Sequence, residues 1–597
     1  MALSLIQDAG AQYLTFPRVV GRGVMRRIFV TFNEEKRMTP KTLLIGLDGV
    51  QIKRFAELST ALKRLQYNEA YTGGIVGESS EASTWSGPGW MTVLTGTWAD
   101  KHGITHDGDR LRANPACPTV MRRLSDHDSK LSITSVVTWP TIHTFLAGQL
   151  EGVRTWTFRE NDANAERVAR HSVEGIGAGF TFLQLSDPDL AARAHGFGEE
   201  YDSALLQTDA YLNALLDAVQ AREAGHPDED WLVLVTTDHG RDASGYGHGG
   251  HSVSEKTIFI ACNKEPNLEL TSNNPPAGLD TLYGYAAQTA IAPTILRHMG
   301  IKPASDAWDM DSIPLIGELG ARKPRVDAAA STLRWISDDS ATVEIRKDGA
   351  LAASVPASRQ VWTDPRLGGA TVYSLKLRDT YCRIRHDYIQ TVLDWSGSSL
   401  FFLFSQGIYS RFNTVENATD PGYPRQTDEY NWPGLAEYRH LLVASFSQNK
   451  QFAFFLMGDG RYMKYDKSAD KVVDGYPARI TDSTWPGLGA YATRIRTAVR
   501  WKNDKVHIFL DDNTFLRYDL LADRVEDNYP QPVNAYFWPG LAEHKDRIVA
   551  AVRDGEKNAA FFFLDNMTYV KYDMDTDSVS DFYPAKIDNT TWPGLSW

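Results

Sequence analysis

The stretch Thr42-Leu-Leu-Ile-Gly-Leu-Asp-Gly-Val50 is a continuous apolar run that ends in an aspartate and a glycine. An apolar run without polar alternation is typical of a strand that is buried on both faces of a parallel sheet. Asp48 would then stand at the carboxyl end of that strand, and the ligand sites of open α/β sheets lie beyond such ends. The run therefore predicts an α/β fold and one residue of its site.

Other apolar runs in the first half of the chain predict further strands of the same sheet. They cover residues 131–138, 180–185, 231–237 and 257–261. Helical patterns lie between them, at residues 118–126, 201–223 and 286–299. Strands that alternate with helices imply a sheet with helices on both faces, so we expect residues that follow the strands to meet at one edge.

The segment Ser83-Thr-Trp-Ser-Gly-Pro-Gly-Trp-Met-Thr-Val-Leu-Thr-Gly-Thr-Trp-Ala-Asp-Lys-His-Gly-Ile104 has the composition of a nucleophile turn. Glycines beside Ser86, with Pro88 to fix the backbone, allow a hydroxyl to stand at the N-terminus of a helix over residues 90–95. Amide groups and the helix dipole favour an anion at that position. We therefore predict that Ser86 is a nucleophile, although Ser, Gly and Pro also cluster in ordinary loops.

Residue types that bind metals follow several of the predicted strands. These carboxylates and imidazoles are Asp48, Asp189, His195, Asp238, His239 and His248. Zinc and similar metals accept such ligands, and a metal could deprotonate the hydroxyl of Ser86. Taken singly, an aspartate could cap a helix and a histidine could lie in a loop. The common position at strand ends favours a metal site with a serine nucleophile.

The composition indicates a soluble protein of several domains. The 597 residues exceed the size of one core, and the net charge of −13 argues against a nucleic-acid or anionic-membrane surface. Cys117, Cys262 and Cys382 are too widely spaced to indicate a disulfide framework or a cysteine metal site. No signal peptide and no apolar run of about 18 residues is seen. We expect a cytoplasmic protein, with signal-independent export as the alternative.

A fourfold repeat organises the last third of the chain. Its Trp-Pro-Gly-Leu tetrads begin at Trp432, Trp485, Trp538 and Trp592. Each unit also carries two aromatic strands and a Tyr-Pro pair, at Tyr423, Tyr476, Tyr529 and Tyr583. Several short strands in each repeat predict a four-bladed propeller. The units resemble haemopexin-like repeats over about residues 386–597. Their aromatic side chains are predicted to form the core of the propeller, and haem binding is not inferred from them. Because the last blade has no cysteine, packing and not a disulfide must join the first and last blades.

Four motifs in the first half of the chain occur in a fixed order. They are Leu-Asp48-Gly, then Ser86-Gly-Pro-Gly with Asp100-Lys-His-Gly-Ile, then Asp-Pro-Asp189 with His195-Gly-Phe-Gly, and finally Asp238-His239-Gly with Gly-His248-Gly-Gly. Together they resemble the alkaline phosphatase superfamily, and within it the type I phosphodiesterase/nucleotide pyrophosphatase branch, over about residues 41–320.

The resemblance implies two divalent metal ions, with zinc expected and manganese as the alternative. It places Asp48, Ser86, Asp238 and His239 around one ion and Asp189, His195 and His248 around the other. It also implies that Ser86 attacks phosphorus in line and forms a phosphoryl-enzyme, which water then hydrolyses.

The sequence departs from the pattern of that superfamily in three places. Nucleotide-cleaving members usually have Thr-Phe-Pro-Asn at the turn, whereas Ser86-Gly-Pro-Gly lacks the asparagine. The interval from Asp189 to His195 is two residues longer than the common Asp-x-x-x-His, which leaves Asp187 as a rival ligand. Sulfatases require an arginine where Trp90 stands.

Two further side chains leave alternatives open. Thr84 is the rival of Ser86 in the nucleophile turn, and His251 is the rival of His248 as a metal ligand. His248 is preferred because flanking glycines let its backbone approach an ion closely.

These patterns predict an alkaline-phosphatase-like α/β sheet with helices on both faces and an all-β haemopexin-like propeller. The predicted division is an N-terminal extension (1–40), a metal hydrolase domain (41–325), a small β module or linker (326–385) and the propeller (386–597). The expected activity is hydrolysis of small phosphoric esters, with phosphodiesters favoured over monoesters and sulfate esters. A propeller-based binding protein with a vestigial hydrolase domain is the alternative, and the propeller is expected to bind a protein or another ligand.

Overall fold

The computed structural model describes residues 38–76, 80–108, 111–270, 278–302, 309–327, 331–364, 371–405, 407–555 and 557–595 in full. Before residue 38 it describes only the backbone of an antiparallel three-stranded sheet in the order β1-β2-β3. These strands are β1 (Ile6–Asp8), β2 (Ala11–Val20) and β3 (Val24–Thr31). The predicted N-terminal extension covers residues 1–40. Apart from these three strands, its residues up to 37 lie outside the described residues.

An eight-stranded sheet forms the centre of the first half of the chain. Its strands are β4 (Thr39–Leu47), β5 (Gln66–Tyr71), β6 (Ile133–Val137), β7 (Val153–Thr157), β8 (Phe180–Leu185), β9 (Glu229–Thr237), β10 (Thr257–Cys262) and β11 (Ala286–Ala287). Their order is β11-β5-β10-β9-β4-β8-β6-β7. β4 pairs in parallel with both β8 and β9, whereas β10 runs antiparallel to β5 and β9. The predicted α/β fold is confirmed, and its central strand is the one that precedes Asp48.

Helices cover both faces of this sheet. They are α1 (Ile52–Leu58), α2 (Ser86–Thr95), α3 (Ala99–His102), α4 (Val120–His127), α5 (Thr141–Phe145), α6 (Asp162–His171), α7 (Asp187–His195), α8 (Glu199–Gly225), α9 (Val253–Lys256), α10 (Leu279–Leu282) and α11 (Ile291–His298). Along β4, Leu44 packs into a core with α2 and α11, while Leu43 and Ile45 pack into a second core with α8. Successive side chains of a strand point to opposite faces, so an unbroken apolar run supplies both cores.

Two small antiparallel sheets follow the α/β region. Their strands are β12 (Arg322–Asp327), β13 (Thr332–Ile336), β14 (Thr342–Lys347), β15 (Ala350–Pro356), β16 (Val361–Thr363), β17 (Thr371–Leu377) and β18 (Thr380–His386). The orders are β12-β13-β16 and β15-β14-β17-β18, and Leu333, Trp335 and Leu375 belong to one shared core.

Four five-stranded antiparallel sheets complete the described chain. The first contains β19 (Ile389–Asp394), β20 (Ser399–Phe404), β21 (Ile408–Asn413), β22 (Ala418–Thr419) and β23 (Arg425–Gln426). The second contains β24 (Leu442–Ser447), β25 (Phe452–Met457), β26 (Arg461–Asp466), β27 (Lys471–Val472) and β28 (Ala478–Arg479). The third contains β29 (Ile495–Arg500), β30 (Lys505–Leu510), β31 (Thr514–Asp519), β32 (Arg524–Val525) and β33 (Gln531–Pro532). The fourth contains β34 (Ile548–Arg553), β35 (Ala559–Leu564), β36 (Thr568–Asp573), β37 (Ser578–Val579) and β38 (Ala585–Lys586).

The first strands of the four sheets make a closed ring. β19, β24, β29 and β34 contact one another in that order, and β19 also contacts β34. Trp592 packs on Phe402 of the first sheet, with ring centroids 5.3 Å apart. The predicted four-bladed propeller is confirmed, and aromatic packing joins its first and last blades. The cysteines, Cys117, Cys262 and Cys382, are buried free thiols.

None of the helices in the described part of the chain combines the length and the apolar composition needed to cross a membrane.

Candidate active site

The carboxyl ends of β4 and β9 bring three candidate residues together. Asp48 follows β4 directly, and Asp238 and His239 follow β9. Because the two strands are parallel neighbours, their carboxyl ends meet at the same edge of the sheet. The apolar residues that precede each polar residue pack into the two cores, and this packing fixes the position of the strand end.

Helix α2 brings the predicted nucleophile to the same edge. Ser86 is its first residue and is buried. A side chain at Gly89 would lie 2.7 Å from the carbonyl oxygen of Asp238, so only glycine permits this approach of helix to strand end. Trp90 packs over Gly46 and donates its indole N–H to Asp48 Oδ2 at 3.1 Å. The small residues of the turn therefore serve close packing of α2 against the sheet.

Four polar atoms converge at the start of α2. Ser86 Oγ lies 3.2 Å from His239 Nε2 and 3.4 Å from Asp48 Oδ1. His239 Nε2 lies 3.4 Å from Asp238 Oδ2 and 3.7 Å from Asp48 Oδ1. His239 Nδ1 donates to the carbonyl of Gly240 at 2.9 Å, which leaves the lone pair of Nε2 directed into the cluster.

One oxygen of this cluster has no donor. Asp238 Oδ1 accepts from the backbone N–H groups of Gly49 at 3.1 Å and His239 at 3.0 Å. Among the described residues Asp238 Oδ2 has no hydrogen-bond partner, although Asp238 is fully buried. A buried carboxylate oxygen without a donor is costly unless a cation neutralises it. Asp48, Asp238 and His239 therefore fit a divalent metal by both charge and donor type.

Burial and like charge govern the titration of the two carboxylates. Desolvation, followed by repulsion from Asp189, raises the pKa of Asp48 to about 8. Desolvation and then the charge of Asp48 raise the pKa of Asp238 well above its usual range. Desolvation lowers the pKa of His239, which keeps its imidazole neutral, as metal ligation requires.

A second polar group lies beside the first. Asp189, on α7, and His248 lie near His239, and their ligand atoms are all within 4.8 Å of one another. The rings of His239 and His248 are stacked, with centroids 3.9 Å apart. Two arginines also enter this group: Arg241 Nη1 lies 2.5 Å from Asp189 Oδ1, and Arg193 Nε lies 2.7 Å from Asp189 Oδ2.

The remaining predicted site residues lie elsewhere. His195 is exposed at the last position of α7, outside both groups. Asp187 is half-buried at the first position of the same helix and also lies outside them. Thr84 donates its hydroxyl to Gly250 O at 2.9 Å, and His251 Nε2 pairs with Glu81 at 3.3 Å. The structure thus gathers Asp48, Ser86, Asp189, Asp238, His239 and His248.

Sequence reasoning missed Arg193, Arg241 and Asp107. Arg193 stands one helical turn after Asp189, so residue spacing could have identified it, whereas Arg241 lies in the loop that follows Asp238-His239-Gly. Asp107 has no such signal. Its Oδ1 accepts from the backbone N–H of Gly87 at 2.6 Å, beside the nucleophile, and burial raises its pKa.

Comparisons with known proteins gave weak likenesses only. No family model and no curated protein matches the chain. A hemopexin fold protein, CP4, from cow pea is similar over 35% of this chain and 96% of its own, with 21% identity and a TM-score of 0.30. A 2-O GAG sulfatase is similar over 64% of this chain and 86% of its own, with 10% identity and a TM-score of 0.34. A phosphonoacetate hydrolase from Sinorhizobium meliloti is similar over 40% of this chain and 60% of its own, with 15% identity and a TM-score of 0.25. The chemistry of the site must therefore decide the function.

Proposed function

We propose that this protein is a metal-dependent hydrolase of phosphoric esters, with phosphodiesters favoured, and that Ser86 is its nucleophile. The observation that carries the proposal is the convergence of Ser86 Oγ, Asp48 Oδ1, Asp238 Oδ2 and His239 Nε2 around one buried point with an unpartnered carboxylate oxygen. The sequence resemblance to the alkaline phosphatase superfamily, and to its type I phosphodiesterase branch, supports the same assignment.

Asp48, Asp238 and His239 would hold the metal. A divalent cation there, zinc or manganese, would lower the pKa of the nearby serine hydroxyl and neutralise charge that develops on phosphorus. The cation would also favour the ionised aspartates, since without it burial, together with repulsion from Asp189 at Asp48 and from Asp48 at Asp238, raises the pKa of each carboxyl.

Ser86 would attack a phosphoryl group in line. Its Oγ stands at the N-terminus of α2, where the helix dipole favours an anionic oxygen. Attack forms a bond between Ser86 Oγ and phosphorus and breaks the bond to the leaving alcohol, which takes up a proton as the serine hydroxyl loses one. The second alcohol stays on the phosphoserine, and water then breaks the Ser86 Oγ–phosphorus bond, restores the hydroxyl and releases a phosphomonoester. The burial of Ser86 limits access of bulk water during the first step.

The charge around Ser86 supports a diester as substrate. The Asp107 carboxylate accepts from the N–H of Gly87, beside Ser86. A monoester dianion meets more repulsion from that carboxylate than a diester, which carries a single negative charge. A sulfatase is less favoured, because Trp90 stands where formylglycine-forming sequences have arginine and is fully buried over Gly46.

The test is the Ser86→Ala variant, assayed with chromogenic phosphomonoesters, phosphodiesters and sulfate esters. We expect loss of diester hydrolysis by more than about 10³-fold with the metal content retained, because removing a nucleophile costs at least this much. Ser83→Ala, which removes a hydroxyl three residues earlier, is the matched control and should keep its activity. A wild-type protein that binds metal but hydrolyses none of the esters would instead favour the propeller-based binding protein.

A further inference from the structure

Both oxygens of the Asp189 carboxylate are held by guanidinium groups. Arg241 Nη1 contacts Oδ1 at 2.5 Å, and Arg193 Nε contacts Oδ2 at 2.7 Å. Arg241 is fully buried, and the backbone of the following loop fixes it further, with Nε donating to Gly245 O at 2.5 Å and Nη2 donating to Tyr246 O at 2.9 Å. An arginine side chain remains charged in proteins, so Asp189 already has permanent counter-ions.

The imidazole of His248 is also already partnered. Its Nδ1 donates to the carbonyl of Thr84 at 3.0 Å, because a carbonyl oxygen can only accept. The lone pair of Nε2 then accepts from Arg193 Nη2, which is 3.0 Å away. The third residue of this group, His239, directs its Nε2 toward Ser86, Asp48 and Asp238.

This second group therefore differs from the first in the state of its acceptors. Within the described part of the chain, Asp238 Oδ2 is buried and without a donor, whereas both oxygens of Asp189 and Nε2 of His248 receive N–H groups from arginine. A metal at the second position would have to displace Arg241 and leave a buried guanidinium without its carboxylate partner. His195, expected as a further ligand, lies six residues after Asp189 and is exposed, while Arg193 lies one turn after it.

We propose that Arg193 and Arg241 take the place of a second metal ion, so that the active site combines one divalent cation with a fixed pair of guanidinium groups. This inference rests on the proposed function and replaces the expectation of two metals with one. Arg241 is a positioning residue that fixes Asp189 and, through it, Arg193. Arg193, whose side chain is about half exposed, supplies N–H donors to a non-bridging oxygen of the ester.

The stoichiometry of bound metal tests this inference without an assay of activity. The full-length protein is loaded with zinc, and in parallel with manganese, dialysed, and measured by inductively coupled plasma mass spectrometry. We expect one ion per chain. Two ions per chain would overturn the inference and leave the proposed function standing. Absence of bound metal would overturn the proposed function as well, which separates the two failures.

Variants sharpen the test. Arg193→His combined with Arg241→Met frees Asp189 and places an imidazole one turn from it, so the double variant should bind a second ion. Arg222→Met removes another mostly buried arginine, paired with Glu229 at 2.8 Å at the opposite end of β9, and should still bind one ion. A double variant that folds and still binds one ion would contradict the proposal.

The single variant Arg193→Met tests the contact with substrate, and because this side chain is partly exposed the protein should fold. We expect the KM for a phosphodiester to rise about tenfold or more, with one metal ion still bound. Arg193→Lys keeps the positive charge, so its KM should rise less than that of Arg193→Met. An unchanged KM would remove Arg193 from substrate binding and overturn its assigned role.

Discussion

The α/β site and the propeller bury side chains with opposite effects on stability. At the carboxyl ends of β4 and β9, burial and neighbouring charges raise the pKa values of Asp48 and Asp238. In the propeller, Trp432, Trp485, Trp538 and Trp592 are buried among aromatic rings of adjoining strands. Burying like charges destabilises a fold, whereas burying aromatic surface stabilises it. On the proposed function, the first arrangement serves to bind a metal ion, whereas the second joins the blades of the propeller.

The largest effect is expected for Asp238→Asn, which replaces the carboxylate that carries the unpartnered oxygen. Metal binding should be lost, and diester hydrolysis should fall by more than about 10³-fold, because a bound metal supplies several kcal/mol of transition-state stabilisation. In metal-free protein the same change removes a carboxyl whose ionised form is disfavoured by burial and by the charge of Asp48, so the melting temperature should stay equal or rise. Metal analysis, ester hydrolysis and calorimetry measure the three quantities.

Asp162→Asn is the matched control for this variant. Asp162 is also buried with a raised pKa, about 6, but its two oxygens accept from the backbone N–H groups of Ser186 and Asp187 at 2.9 Å each. Its replacement should cost stability and leave metal binding in place. If Asp162→Asn also lost the metal, or Asp238→Asn kept it, the contrast between partnered and unpartnered carboxylates would fail.

A smaller effect, confined to the propeller, is expected for Trp592→Ala. Trp592 lies in the last blade and packs on Phe402 of the first and on Phe563 of its own, with centroids 5.3 and 5.5 Å away. The loss of a buried tryptophan should cost about 3–5 kcal/mol of unfolding free energy. We expect the propeller transition in calorimetry to move down while a transition that responds to added metal stays. Trp485→Ala, which changes a blade that is neither first nor last, should cost a similar free energy of unfolding. An unchanged melting temperature of Trp592→Ala would show that other contacts join the first and last blades.

Sequence patterns predicted the parts of the molecule that follow from periodicity and strand ends. The apolar run before Asp48 is the central strand β4, and the repeat of Trp-Pro-Gly-Leu marks the four blades. β5 was missed because Gln66-Tyr-Asn-Glu-Ala-Tyr71 is too polar to resemble a buried strand. It forms an inner strand of the sheet through backbone pairing with β10 and β11, and no pattern of its own side chains encodes that pairing.

Asp189 and His248 of the second polar group were among the predicted ligands, but its two arginines could not be predicted from residue types alone. A search for metal ligands selects His195, but the direction of side chains on a helix decides which residues meet. Arg193 shares a helix face with Asp189, and His195 does not. The role of Arg241 depends on a loop that folds back so that Gly245 O and Tyr246 O receive its N–H groups. Such a contact follows from tertiary packing.

The smallest effect concerns one imidazole in the propeller. His507 is the third residue of β30, and the third residues of β20, β25 and β35 are Phe401, Phe454 and Phe561. His507 stacks on Trp501 with centroids 4.8 Å apart, and the first blade has the corresponding pair of Phe401 and Trp395 at 5.0 Å. Phenylalanine therefore fits this environment.

Burial lowers the pKa of His507 to about 3, while the unfolded chain has the ordinary value near 6.5. Between these values the unfolded state binds the extra proton, so stability falls as the pH falls, by up to about 1.4 kcal/mol per pH unit. His507→Phe should change the unfolding free energy by less than about 1.5 kcal/mol at pH 7.5, as a conservative core swap does, and should be more stable than wild type at pH 5. Denaturant unfolding at the two pH values measures the difference, and His440→Phe, at an exposed position, should keep the wild-type pH dependence. If His507→Phe lost stability as steeply as wild type between pH 7.5 and 5, the buried imidazole would not be the source of acid sensitivity in the propeller. Burial at position 507 would then be free of any titration cost, as it is for the other aromatic side chains of the propeller core and unlike burial at the charged edge of the α/β sheet.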